Sequence, residues 1–184
     1  MSAFVTETAP LLTGEATATF SEDRVYRYRL TRTWGTSGTH ATWIMLNPST
    51  ADALRDDPTI TRCISFTKAW GLDGLVVVNL FALPATDPVE LLGHRAPVGE
   101  ANDQFIRDAV HPWSVVVAAW GAHKIAAARM RTVLGIVTAR ADAVGCLGVT
   151  KTGSPRHPLY VPGSQALERF AGTGDPLSIE VTIS

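Results

Sequence analysis

The residues best suited to chemistry are polar side chains that stand inside or directly after strongly apolar segments. They are Asn47 after ATWIML, Asn79 within LVVVNLF, Trp120 after SVVVAA, and His157 in the loop TKTGSPRHPLY that follows AVGCLG. A carboxamide donates and accepts hydrogen bonds at once, and an imidazole can donate to a developing negative charge. Together they offer the groups needed to bind a polar ring and assist its departure.

Asn47 and Asn79 each have a structural and a functional interpretation. Asn47 precedes Pro48 and Ser49, so it can hold a water or contact a ring edge, or simply cap the loop. Asn79 is enclosed by apolar residues, where an unsatisfied carboxamide loses about 1–3 kcal/mol. Either the neighbouring backbone or a ligand must satisfy it, and the sequence leaves both open.

Carboxylates and basic side chains extend this set. Asp56 and Asp57 would suit a general base or a hard cation, but an Asp directly before a proline commonly starts a helix. We therefore assign capping to Asp57 and regard Asp56 as the available carboxylate. Lys151, Arg156 and His157 share a loop in which a phosphate or anionic intermediate could be met, although an idle solvated loop has the same composition.

Three aromatic residues, Phe66, Trp70 and Trp120, could stack on a flat ligand, but core packing is the simpler interpretation of each. The phosphate-binding patterns GxxxxGKS/T and GxGxxG are absent, which disfavours hydrolysis of nucleoside triphosphates. Cys63 and Cys146 lack CxxC spacing, so we expect two buried thiols rather than a zinc site or a disulfide.

The composition limits the class of protein. With 184 residues, 46% hydrophobic and 18% charged, we expect a single domain over residues 1–184 whose residues 1–16 form a loose N-terminal segment. No apolar run approaches the roughly 20 residues that span a bilayer, and MSAFVTETAP does not resemble a secretory signal, so a cytoplasmic protein is expected. The net charge of −1 argues against a nonspecific nucleic-acid binder.

Apolar patterns outline the elements that must position these side chains. Alternation from Thr17 to Arg32 predicts a strand with one wet face. Continuous apolar runs before Asn47, around Asn79, before Trp120 and at AVGCLG predict strands buried on both faces. Helices are predicted from Asp57 to Trp70, within Gly99–His111, from Ala122 to Ala139, and near Ser164–Phe170.

Buried strands that alternate with helices predict an α/β fold with a parallel sheet covered on both faces. Ligands of such sheets bind beyond the carboxyl ends of the strands. Because the four polar residues described first stand at the ends of successive predicted strands, the sequence predicts that they meet at one edge of the sheet.

Several segments together resemble a bacterial family of unknown function: LNPSTAD (46–52), DDPT (56–59), VVVNLFA (76–82), ATDP (85–88), AWG (119–121) and LGVTKTGSPRHPLY (147–160). The resemblance extends over nearly the whole chain. It implies no activity, because the family has none assigned.

The order of these segments is also similar, more distantly, to the uracil-DNA glycosylase superfamily. That resemblance implies a three-layer α/β/α fold with a mostly parallel central sheet of four to five strands. Asn47-Pro48 is similar to the pair that positions the water in the mismatch-specific branch, and AAWGAHKIAA (118–127) to a strand, a Trp-Gly pair and a helix. His157-Pro158 is similar to a loop that stabilises the departing base. The chain lacks the Gly-Gln-Asp-Pro-Tyr motif and the cysteines of an iron–sulfur cluster, so plain uracil is not the expected base.

The resemblance implies a DNA glycosylase that acts on a flipped, modified base, in a role such as defence against phage DNA. Asn47 would position the water with Asp56 as helper, and His157 would stabilise the leaving base. The other implied roles are base contacts by Asn79, Phe66, Pro48, Ser49 and Trp120, and phosphate contacts by Lys151 and Arg156. We expect no cofactor, metal or membrane, and a monomer with DNA as partner. The alternatives are a non-catalytic nucleotide or nucleic-acid binding module and a hydrolase of free nucleosides or nucleotides.

Overall fold

An eight-stranded sheet organises residues 3–50 and 54–171, the part of the chain that the computed structural model describes. Its strands follow the order β1-β2-β3-β5-β4-β6-β7-β8. Strand β4 pairs in parallel with β5 and β6, β6 pairs in parallel with β7, and all other neighbours are antiparallel. The strands are β1 Phe4–Leu11, β2 Gly14–Ser21, β3 Arg27–Thr33, β4 His40–Met45, β5 Gly74–Asn79, β6 Val115–Ala118, β7 Gly145–Cys146 and β8 Glu168–Arg169.

The predicted α/β class is confirmed, but the mostly parallel sheet of four to five strands is not what forms. The central strands β5, β4, β6 and β7 are parallel, whereas β1, β2 and β3 extend one edge and β8 the other in antiparallel pairings. Residues 1–16, expected to be loose, contribute β1 and the start of β2 within their described part. The single strand predicted over Thr17–Arg32 is a hairpin, because the chain turns at Arg24 with φ of 59°. No glycine or proline marks that turn in the sequence.

Four α-helices accompany the sheet within the described residues: α1 Pro58–Ala69, α2 Glu90–Gly93, α3 Asn102–Ala109 and α4 Ala127–Thr138. Asp57 caps α1 as predicted, since its Oδ1 accepts the Ile60 N–H at 2.8 Å. A short 3₁₀ helix, Lys124–Ala126, leads into α4, and a second one spans Pro158–Tyr160. The helix predicted near Ser164–Phe170 is wrong, because this segment is not helical and its residues Glu168 and Arg169 pair with β7 as β8.

Two hydrophobic cores lie on opposite faces of the sheet, which explains the continuous apolar strands. Ile44 and its neighbours on that face pack against α3 and α4, whereas Trp43 and its neighbours pack against α1. Within the described residues, no helix has the length and apolar character needed to cross a membrane. The helices cover both faces of the central strands, while the carboxyl ends of those strands open into a cavity.

Candidate functional site

A cavity of about 560 Å³ lies at the carboxyl ends of β4, β5 and β6. The parallel register aligns these ends, because Met45 pairs with Asn79 and Ile44 with Ala118. The sequence-predicted residues that line it are Asn47, Pro48, Ser49, Asn79, Trp120, Arg156 and His157. The structure therefore brings together side chains from stretches of chain more than 100 residues apart.

Asn47 serves the loop and the cavity at once. Its Nδ2 donates to the carbonyls of Pro48 at 2.9 Å and Ala85 at 2.8 Å, which uses both amide hydrogens. No hydrogen bond within the described residues uses its Oδ1. The loop thus fixes the orientation of the carboxamide and leaves its oxygen as an acceptor for a water or ligand.

Asn79, the last residue of β5, is 5% exposed, yet its side chain makes no hydrogen bond within the described residues. Some polar atoms of the interior are both inaccessible to solvent and without a hydrogen bond, but the carboxamide atoms of Asn79 are not among them. They therefore remain accessible from the cavity. The nearby Asn102 side chain does not satisfy them either, because its Nδ2 donates to the backbone carbonyl of Asn79 at 2.9 Å rather than to the carboxamide. The carboxamide is available to a ligand.

His157 presents an N–H group to the cavity. It caps the 3₁₀ helix Pro158–Tyr160, and its Nδ1 accepts the Leu159 N–H at 3.3 Å. The proton of the neutral ring therefore lies on Nε2. Burial lowers the pKa of His157 below its ordinary value, against the opposing effect of the Asp57 carboxylate. At neutral pH the ring is thus an uncharged hydrogen-bond donor.

A second histidine lines the cavity in the same manner. His123 caps the 3₁₀ helix Lys124–Ala126, and its Nδ1 accepts the Ile125 N–H at 3.4 Å. Sequence reasoning missed it because His123 fell inside the helix predicted from Ala122 to Ala139. The useful signal is its position two residues after the Gly121 turn, which has φ of 76°.

The carboxylate at the cavity is Asp57, not Asp56. The Oδ1 of Asp57 caps α1, and its Oδ2 accepts the Ser49 hydroxyl at 3.1 Å, so its side chain faces the loop after β4. Asp56 points elsewhere and accepts from Nε of the fully buried Arg32 at 2.7 Å. The interpretation of Asp56 as the available carboxylate is therefore corrected. Asp57 faces the cavity while it caps α1, and the preceding residue, Asp56, is directed toward Arg32.

Phe66 and Lys151 do not line the cavity. Phe66 is 2% exposed and packs against Trp43 and Trp70 in the core on the α1 face. Lys151 lies on an exposed turn. The exposed aromatic residue at the cavity mouth is Tyr160, whose ring centroid is 5.5 Å from that of His157.

Trp120 and Arg156 each have both structural and cavity contacts. Trp120 is 2% exposed and packs edge-to-face on Phe170 at 5.5 Å, while its Nε1 has no partner within the described residues. Arg156 donates to the Tyr160 carbonyl at 2.6 Å, which ties the loop together and leaves the rest of its guanidinium at the cavity. These residues shape the walls more than they offer free groups.

Arg27, at the start of β3, also lines the cavity although it is 7% exposed. Desolvation lowers the pKa of Arg27 to about 10, so it stays charged at neutral pH. Sequence reasoning missed it, because Arg27 belonged to the wet face of a predicted strand. Arg27 and Arg156 bring two positive charges to the cavity lining against the one carboxylate of Asp57.

The described residues hold no group of three or more His, Cys, Asp or Glu side chains placed to bind a metal. Both cysteines are buried and free. Burial raises the pKa of Cys146 to about 11 and raises that of Cys63 further, so neither forms a thiolate at neutral pH. The polar side chains that line the cavity are amides, hydroxyls, histidines, arginines and Asp57.

The sequence profile of a family described as "Protein of unknown function (DUF1643)" matches residues 27–159. This is more than half of the chain, and it includes all the cavity residues discussed above except Tyr160. No curated protein and no solved structure matches the chain. The chain belongs to the DUF1643 family.

Proposed function

We propose that this protein is a DNA glycosylase that hydrolyses the N-glycosidic bond of a flipped, modified base. The observation that carries the proposal is the convergence of Asn47, Asn79 and His157, each with unused hydrogen-bonding capacity, in one cavity. Its volume of about 560 Å³ lies within the range of small-molecule sites. Enzymes that act on a base take it out of the stack into such a pocket.

The buried side chain of Asn79 would recognise the base. The Asn79 carboxamide offers one acceptor and two donors, which can pair with the edge of a flipped base. Trp120 forms part of the surrounding wall. Because Asn79 is buried, an unsuitable base would leave its polar groups unpaired, and this penalty supports selectivity.

Hydrolysis needs a positioned water and a stabilised leaving group. Asn47 Oδ1 accepts from the water, whose oxygen bonds to C1′ of the sugar as the C1′–N bond breaks and its electron pair leaves with the base. His157 Nε2–H donates to the anionic base, a role that its neutral tautomer suits. The Asp57 carboxylate, rather than Asp56, accepts the proton that the water loses.

The proposal includes the finer structural likeness. The parallel strands β5, β4, β6 and β7, with helices on both faces, support a three-layer arrangement like that of uracil-DNA glycosylases, to which β1–β3 are an added edge. Arg156 at the cavity and the exposed Lys151 supply contacts for DNA phosphates. We further propose a cytoplasmic monomer that acts on modified bases of phage DNA.

Abasic-site formation tests the proposal directly. Single-stranded and duplex oligonucleotides that carry a panel of modified bases are incubated with the protein and treated with alkali, which cleaves strands only at abasic sites. We expect cleavage with at least one modified base. We expect Asn47→Ala and His157→Asn to reduce the rate by about 10²–10³-fold, because each removes one positioned group.

His111→Ala is the matched control for the histidine variant, because His111 is exposed, stacks on Trp113 and does not line the cavity. It should cleave at the wild-type rate, and circular dichroism should show all variants folded. Full activity of both cavity variants would remove the assigned roles. Alkali-resistant strands across the whole panel would remove the glycosylase proposal.

Action on free nucleotides is the second candidate, and Arg27 favours it. A buried cation in the cavity suits a ligand with its own phosphate, and the net charge of −1 gives the protein no overall positive charge to attract DNA. Release of free base from nucleosides or nucleotides, measured by chromatography without any DNA, would identify this activity. Binding of the same compounds without base release would indicate a non-catalytic module.

A further inference from the structure

Arg27 reaches the cavity because of an irregularity in the pairing of β2 with β3. Thr19 pairs with Arg29, whereas the next residue, Phe20, pairs with Arg27. Tyr28 is therefore an extra residue in β3, as in a β-bulge. Such a residue shifts the alternation of side chains, so those before it exchange faces relative to a regular strand.

The contacts on the two faces agree with this shift. Tyr28 and Arg29 both lie against Phe105 of α3, with the Tyr28 ring stacked at 4.9 Å and the Arg29 guanidinium 5.8 Å from the ring centroid. Leu30 packs on the opposite face, in the core against α1, and both Leu30 and Arg27 line the cavity. The bulge thus directs Arg27 inward instead of leaving it on the α3 face.

The guanidinium of Arg27 has no hydrogen bond or ion pair within the described residues, although only 7% of the residue is exposed to solvent. Its nitrogens are not among the sealed, unpaired atoms, so they keep contact with the cavity space. Asp57 is the carboxylate whose charge favours ionised Arg27, but its oxygens already accept from Ile60 N–H and the Ser49 hydroxyl. Among the residues that the structure describes, the Arg27 guanidinium is therefore a charged donor without a hydrogen-bond acceptor.

Arg27 belongs to a part of the cavity lining that is little exposed to solvent. Leu30, Met45, Val77 and Asn79 are each at most 5% exposed, whereas Tyr160 at the mouth is 74% exposed. Apolar walls strengthen the interaction of a charge with a partner and raise the penalty for leaving it without one. A folded protein tolerates such a group where a ligand completes it.

We propose that Arg27 forms an oxyanion site at the floor of the cavity, so that the natural ligand carries a phosphate or carboxylate that enters as deep as Asn79. Bidentate pairing of a guanidinium with an oxyanion supplies affinity and orientation. The oxyanion is either the phosphate of a free nucleotide or an acidic substituent on a flipped base. This inference narrows the substrate class of the proposed function and rests on the same cavity being its ligand site.

Arg27→Met tests the site without any turnover, because methionine keeps much of the side-chain length and removes the charge. The ligand-free variant should melt about 2–4 °C above the wild type, since an unpaired buried cation is removed. Inorganic phosphate should raise the melting temperature of the wild type in proportion to its logarithmic concentration and leave Arg27→Met unchanged. Arg24→Met, at an exposed residue paired with Glu7, should respond to phosphate as the wild type does.

Uridine, orotidine and uridine 5′-monophosphate separate the two sources of the oxyanion by calorimetry. Orotidine carries a carboxylate on its base and the monophosphate a phosphate on its sugar. We expect one of the charged compounds to bind about 10–100-fold tighter than uridine, and Arg27→Met to abolish that preference. Preference for orotidine assigns the acidic-base source, and preference for the monophosphate the nucleotide source.

The oxyanion site is overturned if the wild type shows no phosphate response, if Arg27→Met responds equally or melts lower than the wild type, or if neither charged compound is preferred. Failure of the glycosylase is seen separately, as alkali-resistant DNA while the phosphate response depends on Arg27. Conversely, if the protein forms abasic sites but Arg27→Met binds phosphate and the charged compounds as the wild type does, the oxyanion site is excluded and the glycosylase proposal remains.

Discussion

Buried polar side chains behave differently in two regions of this molecule. Away from the cavity, two buried polar side chains illustrate internal pairing: Thr42 donates to the Ala109 carbonyl at 2.6 Å, and Arg32 donates to Asp56 at 2.7 Å. At the cavity, Arg27 and the Asn79 carboxamide are equally buried but have no partner within the described residues. Because these two groups are open to a cavity in which a ligand can pair with them, the difference supports the cavity as the candidate ligand site.

Asn102 connects the two regions. Its Nδ2 donates to the carbonyls of Asn79 at 2.9 Å and Leu80 at 3.2 Å, which secures the end of β5, while its Oδ1 has no partner within the described residues. Asn79 and Asn102 are therefore neighbouring buried amides with different roles. Asn102 bonds to the backbone at the end of β5, whereas the Asn79 side chain faces the cavity.

The largest expected effect lies in the paired region. Asp56→Ala should lower the free energy of unfolding by about 2–3 kcal/mol, because it leaves the fully buried Arg32 without this carboxylate. Urea denaturation measures the change. Glu7→Ala removes the partner of Arg24 in an exposed ion pair and should change stability by less than about 0.5 kcal/mol. Equal losses in the two variants would show that burial does not distinguish these pairs.

Replacing Asn102 and Asn79 by leucine should have different effects on the free energy of unfolding. Asn102→Leu should destabilise the protein by about 1–2 kcal/mol, because the Asn79 carbonyl loses this donor and the Leu80 carbonyl keeps only the bond from Arg129. Asn79→Leu should leave stability unchanged or raise it by less than about 1 kcal/mol, since its side chain has no hydrogen bond to lose within the described ranges, while ligand binding disappears. Urea denaturation and calorimetry check both. A large loss of stability in Asn79→Leu would contradict the assignment of its amide to a ligand.

The smallest effect is a pH dependence at the cavity. Burial lowers the pKa of His157 in the folded state below its unfolded value of 6.5, so the unfolded chain binds the proton more readily. The contribution of His157 to stability is therefore complete above pH 6.5 and is lost as pH falls through the folded pKa. His157→Asn keeps a capping acceptor without this titration. The stability of the wild type relative to His157→Asn should decline between about pH 7.5 and pH 5, and a constant difference would exclude neutral, buried His157.

Local patterns were sufficient to identify β4, β5, β6 and α1 and to select Asn47, Asn79, Trp120 and His157. Apolar runs, a Pro after a capping Asp, and Gly or Pro at strand ends act within a few residues, so they can be interpreted without the fold. Parallel pairing then aligns the ends of the strands. The convergence of these four side chains was for this reason accessible from the sequence.

Long-range pairing decided the remaining features. Asp56 is held away from the cavity by its ion pair with Arg32 of β3, and Phe66 packs against Trp43 of β4. The position of the Arg27 side chain at the cavity depends on one extra residue in β3. A shift of a single residue moves the side chains of a strand to the opposite face of the sheet. No periodicity within β3 records that shift, because it arises from the pairing of β3 with β2.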